Sequence, residues 1–434
     1  MTFEQIIYVG VSVCCLLTIS QGLWALVDGV GFLRFVESAL AGAAKLRSPS
    51  GKFRYQPKAV VILPCCGVDE RLEHTVHILG SQDYADYEVI FTFESSTDPA
   101  FAAVGRWVQH GFRPNWTRVV AGLTEHRSQK VHNLLAALAS VSADREVIVF
   151  LDSDAVPDVY WLGHLVAPLQ DSEVGAATGF RWYTATGGFA SGIRSAWNAA
   201  SVSMLHNDST NFCWGGSTAI RRETFDRLEI ARHWAGALSD DYRLTRAVRE
   251  AGLRIRFVPQ ALVSSIDQTT TRQFLAFARR QYIITRVCAP EIWLSALMLC
   301  CNLVNGASCA FALFAAAALG WIGDGSIAAA ACAAWLFILA LAAAKALVRQ
   351  LAVRQILRPP EVTWRDLCWD VLGVGFVGVL HLLLLMSAGF TRRFVWRNTE
   401  YEMVSPDQTR VIRRLSPAAP RGELRPARTG SSAP

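Results

Sequence analysis

Apolar residues in this chain fall into long runs near both ends and short runs in the middle. Residues 5–33 contain a single acidic residue, Asp28, and are long enough to cross the core of a bilayer. We interpret them as a membrane helix over residues 1–34, because the run is too long for a signal peptide and no basic residue precedes it. Further apolar runs in region 291–390 predict more spans, at residues 292–322, 326–347 and 370–390.

Between these spans, short apolar runs alternate with amphipathic stretches. The runs predict strands that begin near residues 59, 87, 117 and 147, and the stretches predict helices at 99–110 and 130–141. Repeated units of this kind indicate an α/β fold, with a doubly wound, mostly parallel sheet and a ligand crevice at the carboxyl ends of its strands. We expect this domain to cover residues 55–290 and to end in an interfacial helix near 272–290.

Basic residues predict the side of the membrane on which this domain lies. Five of them follow the first span and none precedes it, namely Arg34, Lys45, Arg47, Lys52 and Arg54. By the positive-inside rule, residues 34–290 are then cytoplasmic. Three complete crossings after residue 290 would carry the basic residues of the tail, 391–434, to the far side. Either one apolar segment is re-entrant or the tail lies outside.

Two polar segments in the second half of the chain give further predictions. Residues 345–369 carry spaced Arg, Leu, Ile and Trp residues, which favours an amphipathic helix at the membrane surface. The end of the chain is rich in Pro, Arg, Ser and Gly, so we expect disorder after about residue 405.

The composition is that of a membrane protein with a water-soluble domain. Of the 434 residues, 52% are hydrophobic and 18% are charged, which is too apolar for an ordinary soluble enzyme. The net charge of +6 lies mostly beside the apolar runs and in the tail, which favours a lipid bilayer over nucleic acid as a partner. The sequence has no GxGxxG or Walker motif, which disfavours dinucleotide redox chemistry and P-loop hydrolysis. It predicts no oligomeric state.

Asp152-Ser153-Asp154 is the strongest candidate for chemistry. The apolar run 147–151 ends directly in these residues, so two carboxylates lie at the carboxyl end of a buried strand. Such a pair suits Mg²⁺ or Mn²⁺, hard cations that take oxygen ligands and share them with substrate phosphates. A plain turn after a strand would also be rich in Asp and Ser.

Two more groups of residues are expected at the same crevice. Trp214-Gly215-Gly216 lets a ligand approach the backbone closely, although a hairpin turn would also use glycines. Asp240 and Asp241 begin an amphipathic helix. One carboxylate is enough to cap that helix, which leaves the other free to act as a general base.

These motifs occur in the same order as in ceramide glucosyltransferases. The ordered set is Gly67-Val68-Asp69, Gln129-Lys130, Asp152-Ser153-Asp154, Trp214-Gly215-Gly216-Ser217, Asp240-Asp241-Tyr242, Trp396-Arg397 and Tyr401. Over residues 55–402 the chain resembles these membrane-bound glycosyltransferases of the family 2 and family 21 type, which include bacterial and hopanoid-associated relatives. The resemblance implies a GT-A fold and inverting transfer from a UDP-sugar to a ceramide-like or other lipid hydroxyl, at the cytoplasmic face of a bacterial inner membrane.

The resemblance also implies roles for the acidic residues. Asp154 would bind Mn²⁺ or Mg²⁺, and Asp152 beside it would contact the metal or the nucleotide. Asp241, with Asp240 next to it, would deprotonate the acceptor hydroxyl.

The donor contacts depart from the family pattern. An Asp usually recognises uridine after the second strand, and Glu94-Ser95 stand at that place here. Lys130 is a further candidate for the phosphates or uridine, although a lysine before a helix is also common on a solvated surface.

The acceptor segment departs as well. The usual Gln/Arg-x-x-Arg-Trp sequence has no tryptophan here. Its nearest match is Arg280-Gln281, in a segment that also contains Arg279 and Arg286. Together with Trp214-Gly215-Gly216, they are candidates to bind the acceptor or the leaving diphosphate. Arginines in such a place also serve as membrane anchors.

Two other functions fit the same motifs. A processive polysaccharide synthase would use the same donor chemistry, but it would need a channel of more crossings than the four counted here. A catalytically inactive membrane protein that binds a nucleotide-sugar would be compatible with the altered donor and acceptor segments.

Overall fold

The computed structural model describes residues 3–266, 268–322 and 324–415. The helices are α1 (Phe3–Gly42), α2 (Glu70–Leu79), α3 (Pro99–Trp107), α4 (Gln129–Leu138), α5 (Trp161–Val166), α6 (Phe189–Val202), α7 (Arg222–Arg227), α8 (Ile230–His233), α9 (Asp240–Glu250), α10 (Thr271–Cys288), α11 (Pro290–Ala318), α12 (Gly325–Ile356), α13 (Trp364–Leu372) and α14 (Val374–Ala388). The strands are β1 (Ala59–Pro64), β2 (Tyr87–Phe93), β3 (Asn115–Val120), β4 (Val147–Leu151), β5 (Val174–Tyr183), β6 (Ser217–Arg221), β7 (Arg254–Ser265), β8 (Arg393–Trp396), β9 (Thr399–Ser405) and β10 (Gln408–Arg414).

A seven-stranded sheet in the order β3-β2-β1-β4-β6-β5-β7 forms the centre of the α/β domain. Its strands pair in parallel, except that β6 is antiparallel to both β4 and β5. Helices cover both faces, and each face packs a separate apolar core. All five residues of β4 are buried, which explains its unbroken apolar sequence. The predicted class, a mostly parallel α/β sheet accompanied by long apolar helices, is confirmed.

Three helices of the described chain are long and apolar enough to span a membrane, over Glu4–Leu46, Pro290–Ala318 and Gly325–Ile356. α13 and α14 are long and apolar enough to span a membrane only when they are taken together as one segment. The chain bends by 70° between them. Small residues let the long helices pack closely: a Cβ atom on Gly306 of α11 would lie 2.0 Å from Thr18 Oγ1 of α1.

The segment 345–369 is not the single amphipathic helix that the sequence predicts. Its first part completes α12 and its last part belongs to α13. Pro359 and Pro360 lie between the two helices. Proline has no backbone N–H and its ring collides with the preceding turn, so the pair ends the helix.

α13 is attached to the α/β domain rather than free at a membrane surface. Asp366 accepts hydrogen bonds from Ser195 Oγ at 2.8 Å and from the Ala185 N–H at 2.7 Å. Trp369 packs so closely on α6 that a Cβ atom on Gly192 would lie 2.2 Å from its ring. These contacts hold the bent pair against the domain.

The tail forms a small antiparallel sheet in the order β10-β9-β8, which we call the C-terminal sheet. The prediction of disorder after about residue 405 is therefore wrong for β10, and residues 416–434 lie outside the described residues. Tyr401 and Met403 alternate with charged residues along β9 and pack against Leu238 and Ile284. This alternation is a strand signal that the polar composition of the tail obscures.

The C-terminal sheet lies on the α/β domain. The Val411 N–H donates to the Glu125 carbonyl oxygen at 3.0 Å, and Arg243 pairs with Asp407 at 2.5 Å. The C-terminal sheet is thus on the same side of the apolar helices as the domain. Of the two arrangements that the sequence leaves open, the contacts favour the re-entrant segment, with the bent pair α13–α14 returning the chain.

Candidate active site

Charged side chains converge at the carboxyl ends of the central strands. Asp152 and Asp154 follow β4, Lys130 lies in the first turn of α4, and Asp240 and Asp241 begin α9. All five line a single cavity. The fold therefore brings together the acidic motifs and the lysine that the sequence predicts for one crevice.

Serine caps determine where the two helices of the site begin. Ser128 Oγ accepts a hydrogen bond from the Val131 N–H at the start of α4, and Ser239 Oγ accepts one from the Tyr242 N–H at the start of α9. Both helices consequently present their amino ends to the crevice, and the peptide dipoles there favour an anionic ligand.

Lys130 connects two of the acidic motifs. Its Nζ lies 2.9 Å from Asp152 Oδ1 and 3.1 Å from Asp240 Oδ2, and it donates to the Gly215 carbonyl oxygen at 3.3 Å. Burial opposes the charge, but attraction to the two carboxylates outweighs it and raises the pKa of Lys130. Lys130 is therefore a partly buried, charged member of the site and not a solvated surface lysine.

The two carboxylates that begin α9 differ in their surroundings. Asp240 is buried, and burial raises its pKa to about 6, against the opposite effect of Lys130. Asp241 is half-buried, and its Oδ1 accepts hydrogen bonds from Ser239 Oγ and, at 2.8 Å, from the Tyr242 N–H. Its Oδ2 has no such partner in the described part of the chain, which leaves one oxygen able to accept a proton.

Arg181 of β5 completes the site, and the sequence analysis misses it. Its Nη1 donates to Asp154 Oδ2 at 2.8 Å, and its Nη2 lies 2.5 Å from Asp154 Oδ1 and 3.3 Å from Asp152 Oδ2. Burial opposes the charge on Asp154, but Arg181 outweighs it and lowers the pKa of that carboxyl well below its usual range. A lone charged residue in the otherwise uncharged and buried sequence of β5 is the signal that could have revealed it.

The two glycines before β6 lie so close to acidic side chains that a larger residue would collide with them. A Cβ atom on Gly215 would lie 2.1 Å from Asp240 Oδ2, and one on Gly216 would lie 2.6 Å from Asp152 Oδ2. Trp214 beside them lines the cavity. The glycines therefore let the acidic side chains approach the backbone, and the ligand contact predicted for this segment stays a prediction.

The carboxylates of Asp152 and Asp154 suit a hard divalent cation in their chemistry. The described residues contain no group of three His, Cys, Asp or Glu side chains able to hold a metal on their own. A cation at these two residues would therefore take further oxygen ligands from phosphate groups and water, which is the usual arrangement for Mg²⁺ with a nucleotide. The residues present fit a metal that binds together with a diphosphate.

The cavity has a volume of about 1970 Å³ and has two parts. One part surrounds the charged residues described above. The other continues among the apolar helices, where Gln21 of α1, Leu299 of α11, Leu341 of α12 and Leu385 of α14 line it. A single space thus joins the polar site to the helices that are long enough to cross a membrane.

Of the remaining residues that the sequence predicts for the site, some line the cavity and others do not. Glu94 lines the cavity, as do Arg280 and Gln281 of α10. Ser95 instead pairs its hydroxyl with Thr97 Oγ1 at 2.7 Å within the turn after β2. We keep Glu94 as the candidate donor contact of that turn.

Two of the predicted arginines have structural partners elsewhere. Arg279 donates to the Ser387 carbonyl oxygen at 3.3 Å, and Arg286 donates to the Thr391 carbonyl oxygen at 2.8 Å. Both bonds tie α10 to the end of α14 and the loop after it. The structure therefore places these two outside the group that lines the cavity.

Arg397 is a further residue of the site for which the sequence analysis predicts no role. It lies in the turn between β8 and β9 with a backbone φ of 54°, a left-handed conformation that is uncommon for residues other than glycine. Its side chain lines the cavity. Trp396 beside it stacks under the Arg280 guanidinium, whose central carbon lies 5.1 Å from the ring. Burial lowers the pKa of Arg280 to about 10, so that residue stays charged at neutral pH.

Fold and site together define an α/β protein with long apolar helices and a crevice suited to a metal-bound, anionic ligand. More specifically, the chain belongs to glycosyl transferase family 21, whose sequence model matches residues 23–408. The protein is thus a nucleotide-sugar glycosyltransferase with a GT-A domain, and the resemblance seen in the motifs is confirmed. A comparison with curated proteins finds no match.

A comparison with solved structures finds weak likeness to two proteins. A mannosyltransferase from Pyrobaculum calidifontis, in complex with GDP-Man and Mn²⁺, has 19% sequence identity and a TM-score of 0.41, over 84% of this chain and 99% of that chain. Glucosyl-3-phosphoglycerate synthase from Mycobacterium tuberculosis, in complex with Mn²⁺, UDP and glucosyl-3-phosphoglycerate, has 17% identity and a TM-score of 0.36, over 59% of this chain and 83% of that chain. Likeness of this degree carries no conclusion about substrates.

Proposed function

We propose that this protein is an inverting glycosyltransferase that moves a sugar from a UDP-sugar to the hydroxyl of a membrane lipid. The observation that carries the proposal is the two-part cavity, which joins the carboxylates at Asp152 and Asp241 to a space among the apolar helices. A water-soluble acceptor would have no use for a binding space that continues between helices of this kind. A lipid would place its hydroxyl at the carboxylates and its chain among the helices.

A second cavity supports entry of the acceptor from the bilayer. It has a volume of about 430 Å³ and lies between α1 and α11. Gln21, Ser295 and Leu299 line both cavities, so the two spaces adjoin. We propose that lipid chains enter along this contact of α1 with α11.

In the proposed reaction the acceptor oxygen forms a bond to the anomeric carbon of the sugar, while the bond from that carbon to the diphosphate oxygen breaks. Asp241 takes the hydroxyl proton through Oδ2, since Oδ1 is engaged by Ser239 and Tyr242. The diphosphate leaves with the electron pair, and Arg280 and Arg397 line the cavity as cations that can bind it. Attack from the face opposite the diphosphate inverts the anomeric configuration.

Asp152 and Asp154 would hold Mn²⁺ or Mg²⁺ at the diphosphate. When bound, the metal supplies positive charge that stabilises the leaving group. Lys130 keeps Asp152 and Asp240 in place, and Glu94 is the proposed contact to the nucleotide.

We propose that the protein is integral to the membrane and multi-pass. In this arrangement α1, α11 and α12 cross the bilayer, and the bent pair α13–α14 enters without crossing. The α/β domain and the C-terminal sheet are then both cytoplasmic. Lys45 and Arg47 after α1 lie on the same side as Arg392 and Arg393 of the tail, in agreement with the positive-inside rule. The resemblance to bacterial relatives makes the inner membrane the proposed location.

The test is UDP release by the detergent-purified protein with Mn²⁺ or Mg²⁺. A panel of UDP-sugars is combined with ceramide, diacylglycerol, hopanoid and polyprenyl-phosphate acceptors. We expect acceptor-stimulated release for one pair, and a loss of at least a hundredfold in turnover for Asp241→Asn, because the base is removed. UDP affinity should stay within about threefold. Asp226→Asn is the matched control, since Asp226 forms an exposed ion pair with Arg222.

Each other outcome selects a different function. A polymeric product in place of a single-sugar lipid would identify a processive synthase. UDP binding without turnover for any pair would identify a nucleotide-sugar-binding protein without activity. Full transfer by Asp241→Asn would refute the assignment of the base.

A further inference from the structure

All four carboxylate oxygens of the proposed metal site already face a cation. Arg181 contacts both oxygens of Asp154, at 2.5 and 2.8 Å, and Oδ2 of Asp152 at 3.3 Å. Lys130 contacts Asp152 Oδ1 at 2.9 Å. A divalent metal at these carboxylates would therefore meet two resident positive charges and would share its ligands with them.

Arg181 is held firmly in this position. Its side chain is 9% exposed, and its guanidinium carbon lies 5.1 Å from the centre of the Trp214 ring. Asn198 Nδ2 donates to its carbonyl oxygen at 2.7 Å and fixes the backbone. A guanidinium confined in this way is an integral part of the site and differs from a mobile surface charge.

One donor of Arg181 is unused. Its Nε is buried and has no hydrogen-bond partner among the described residues. The same is true of several other arginines of the described chain, so the evidence for a ligand at Arg181 is its contact with both carboxylates. A diphosphate provides anionic oxygens of the kind that an arginine fork binds.

The protein also supplies few ligands of its own to a metal. Only the two carboxylates are available, since the described chain holds no group of three acidic, histidine or cysteine side chains suited to a metal. The diphosphate of the donor would add the missing oxygen ligands and would give Arg181 a second anionic partner.

We propose that Arg181 is the resident counter-cation of Asp152 and Asp154 and makes metal binding conditional on the donor. Without a nucleotide, the guanidinium neutralises the carboxylates and keeps a divalent cation weakly bound. With a nucleotide diphosphate, the anionic oxygens offset the repulsion between the two cations, and the metal binds tightly. This coupling is reciprocal, so the metal strengthens nucleotide binding by the same factor. The inference rests on the proposed function.

The experiment measures Mn²⁺ binding to the full-length, detergent-purified protein by electron paramagnetic resonance, with and without UDP. The Mn²⁺ that free UDP binds is subtracted with a protein-free titration. We expect the wild-type Kd for Mn²⁺ to be at least tenfold lower with UDP than without it. Arg181→Gln should bind Mn²⁺ at least tenfold more tightly than wild type when UDP is absent, and UDP should lower its Kd for Mn²⁺ by a clearly smaller factor than it does in wild type, because the phosphate ligands remain and only the repulsion by Arg181 is gone.

Two further variants make the result decisive. Arg181→Lys keeps the charge but not the fork, and we expect UDP-free Mn²⁺ affinity between those of wild type and Arg181→Gln. Arg256→Gln, which removes an ion pair with Asp208 outside the cavity, should match wild type. Unfolding temperatures of all variants show whether each is folded. If Arg181→Gln does not fold, the wild-type and lysine proteins still test the coupling.

Either of two results would overturn the inference. One is a wild-type Mn²⁺ affinity that UDP leaves unchanged, and the other is a folded Arg181→Gln or Arg181→Lys variant with wild-type Mn²⁺ affinity in the absence of UDP. A protein that binds neither UDP nor GDP with Mn²⁺ would instead contradict the proposed function. UDP binding without the predicted coupling would contradict only the role of Arg181.

Discussion

The buried carboxylate of Asp240 makes the free energy of unfolding depend on pH. Burial raises the pKa of Asp240 to about 6 from an ordinary value of 3.8, although Lys130 acts in the opposite direction. Between about pH 4 and pH 6 the folded protein therefore binds a proton here that the unfolded chain does not. The contribution of Asp240 to the free energy of unfolding is fully present below pH 4 and is lost as the pH rises through 6.

This argument predicts a difference between wild type and Asp240→Asn. The asparagine keeps the shape of the neutral acid and does not titrate. We expect the unfolding temperature of wild type minus that of the variant to decrease by about one to two degrees from pH 5 to pH 7.5, because about one pKa unit of the shift is titrated in that interval and is worth about 1.4 kcal/mol. Fluorescence-monitored thermal unfolding in detergent measures it. A difference that increases with pH would mean that Lys130 lowers the pKa of Asp240 instead.

The turn between β8 and β9 is an element whose shape serves the site. Arg397 adopts a left-handed backbone conformation there, and such conformations persist where surrounding contacts impose them. Those contacts include the packing of Trp396 against Arg280 and the buried Tyr401 of β9. The C-terminal sheet therefore forms a wall of the active site and holds an arginine at the cavity.

We predict that Arg397→Gln weakens UDP binding by about tenfold or more, because a charge-assisted hydrogen bond to a phosphate contributes roughly 1.5–3 kcal/mol. Isothermal titration calorimetry with UDP and Mn²⁺ measures the change. Arg413→Gln is the control on the same sheet, since Arg413 is exposed and pairs with Glu400 outside the cavity. Equal UDP affinities for the two variants would mean that Arg397 has only a structural role.

The whole molecule joins two environments through one cavity. The candidate catalytic residues lie in the α/β domain and the C-terminal sheet, while α1, α11, α12 and α14 line the rest of the cavity with mostly apolar side chains and a few polar ones, among them Lys345, Arg349 and His381. α13 attaches the helices to the domain through Asp366 and Trp369. This attachment keeps the apolar part of the cavity aligned with the carboxylates.

At this scale we predict that Leu299→Trp impairs transfer to long-chain acceptors. Leu299 lines both cavities, so a larger side chain would narrow the proposed path of the lipid. We expect KM for a long-chain lipid to rise about tenfold while UDP affinity and transfer to a short-chain analogue stay near wild type. Initial rates over a series of chain lengths provide the measurement. Leu294→Trp, on the outer surface of the same helix, should leave every parameter unchanged. Equal effects on short and long chains would place the acceptor elsewhere.

The sequence by itself determined the features that depend on neighbouring residues. The apolar run of β4 followed at once by Asp152 and Asp154 has few other interpretations, because a buried strand must be apolar and its end must be polar. The start of α9 at Asp240, the repeated strand–helix units and the long apolar helices follow in the same way from local patterns. These features were sufficient for the fold class and for the acidic part of the site.

Only the tertiary structure decided which distant residues meet. Arg181 lies on a different strand from the carboxylates that it contacts, and Lys130 reaches Asp240 across the crevice. Arg279 and Arg286 share the helix of Arg280 but point to other partners. The C-terminal sheet reaches the site by packing on the domain. Such pairings depend on where the sheet and helices pack in space, and a pattern of neighbouring residues carries no record of those distances.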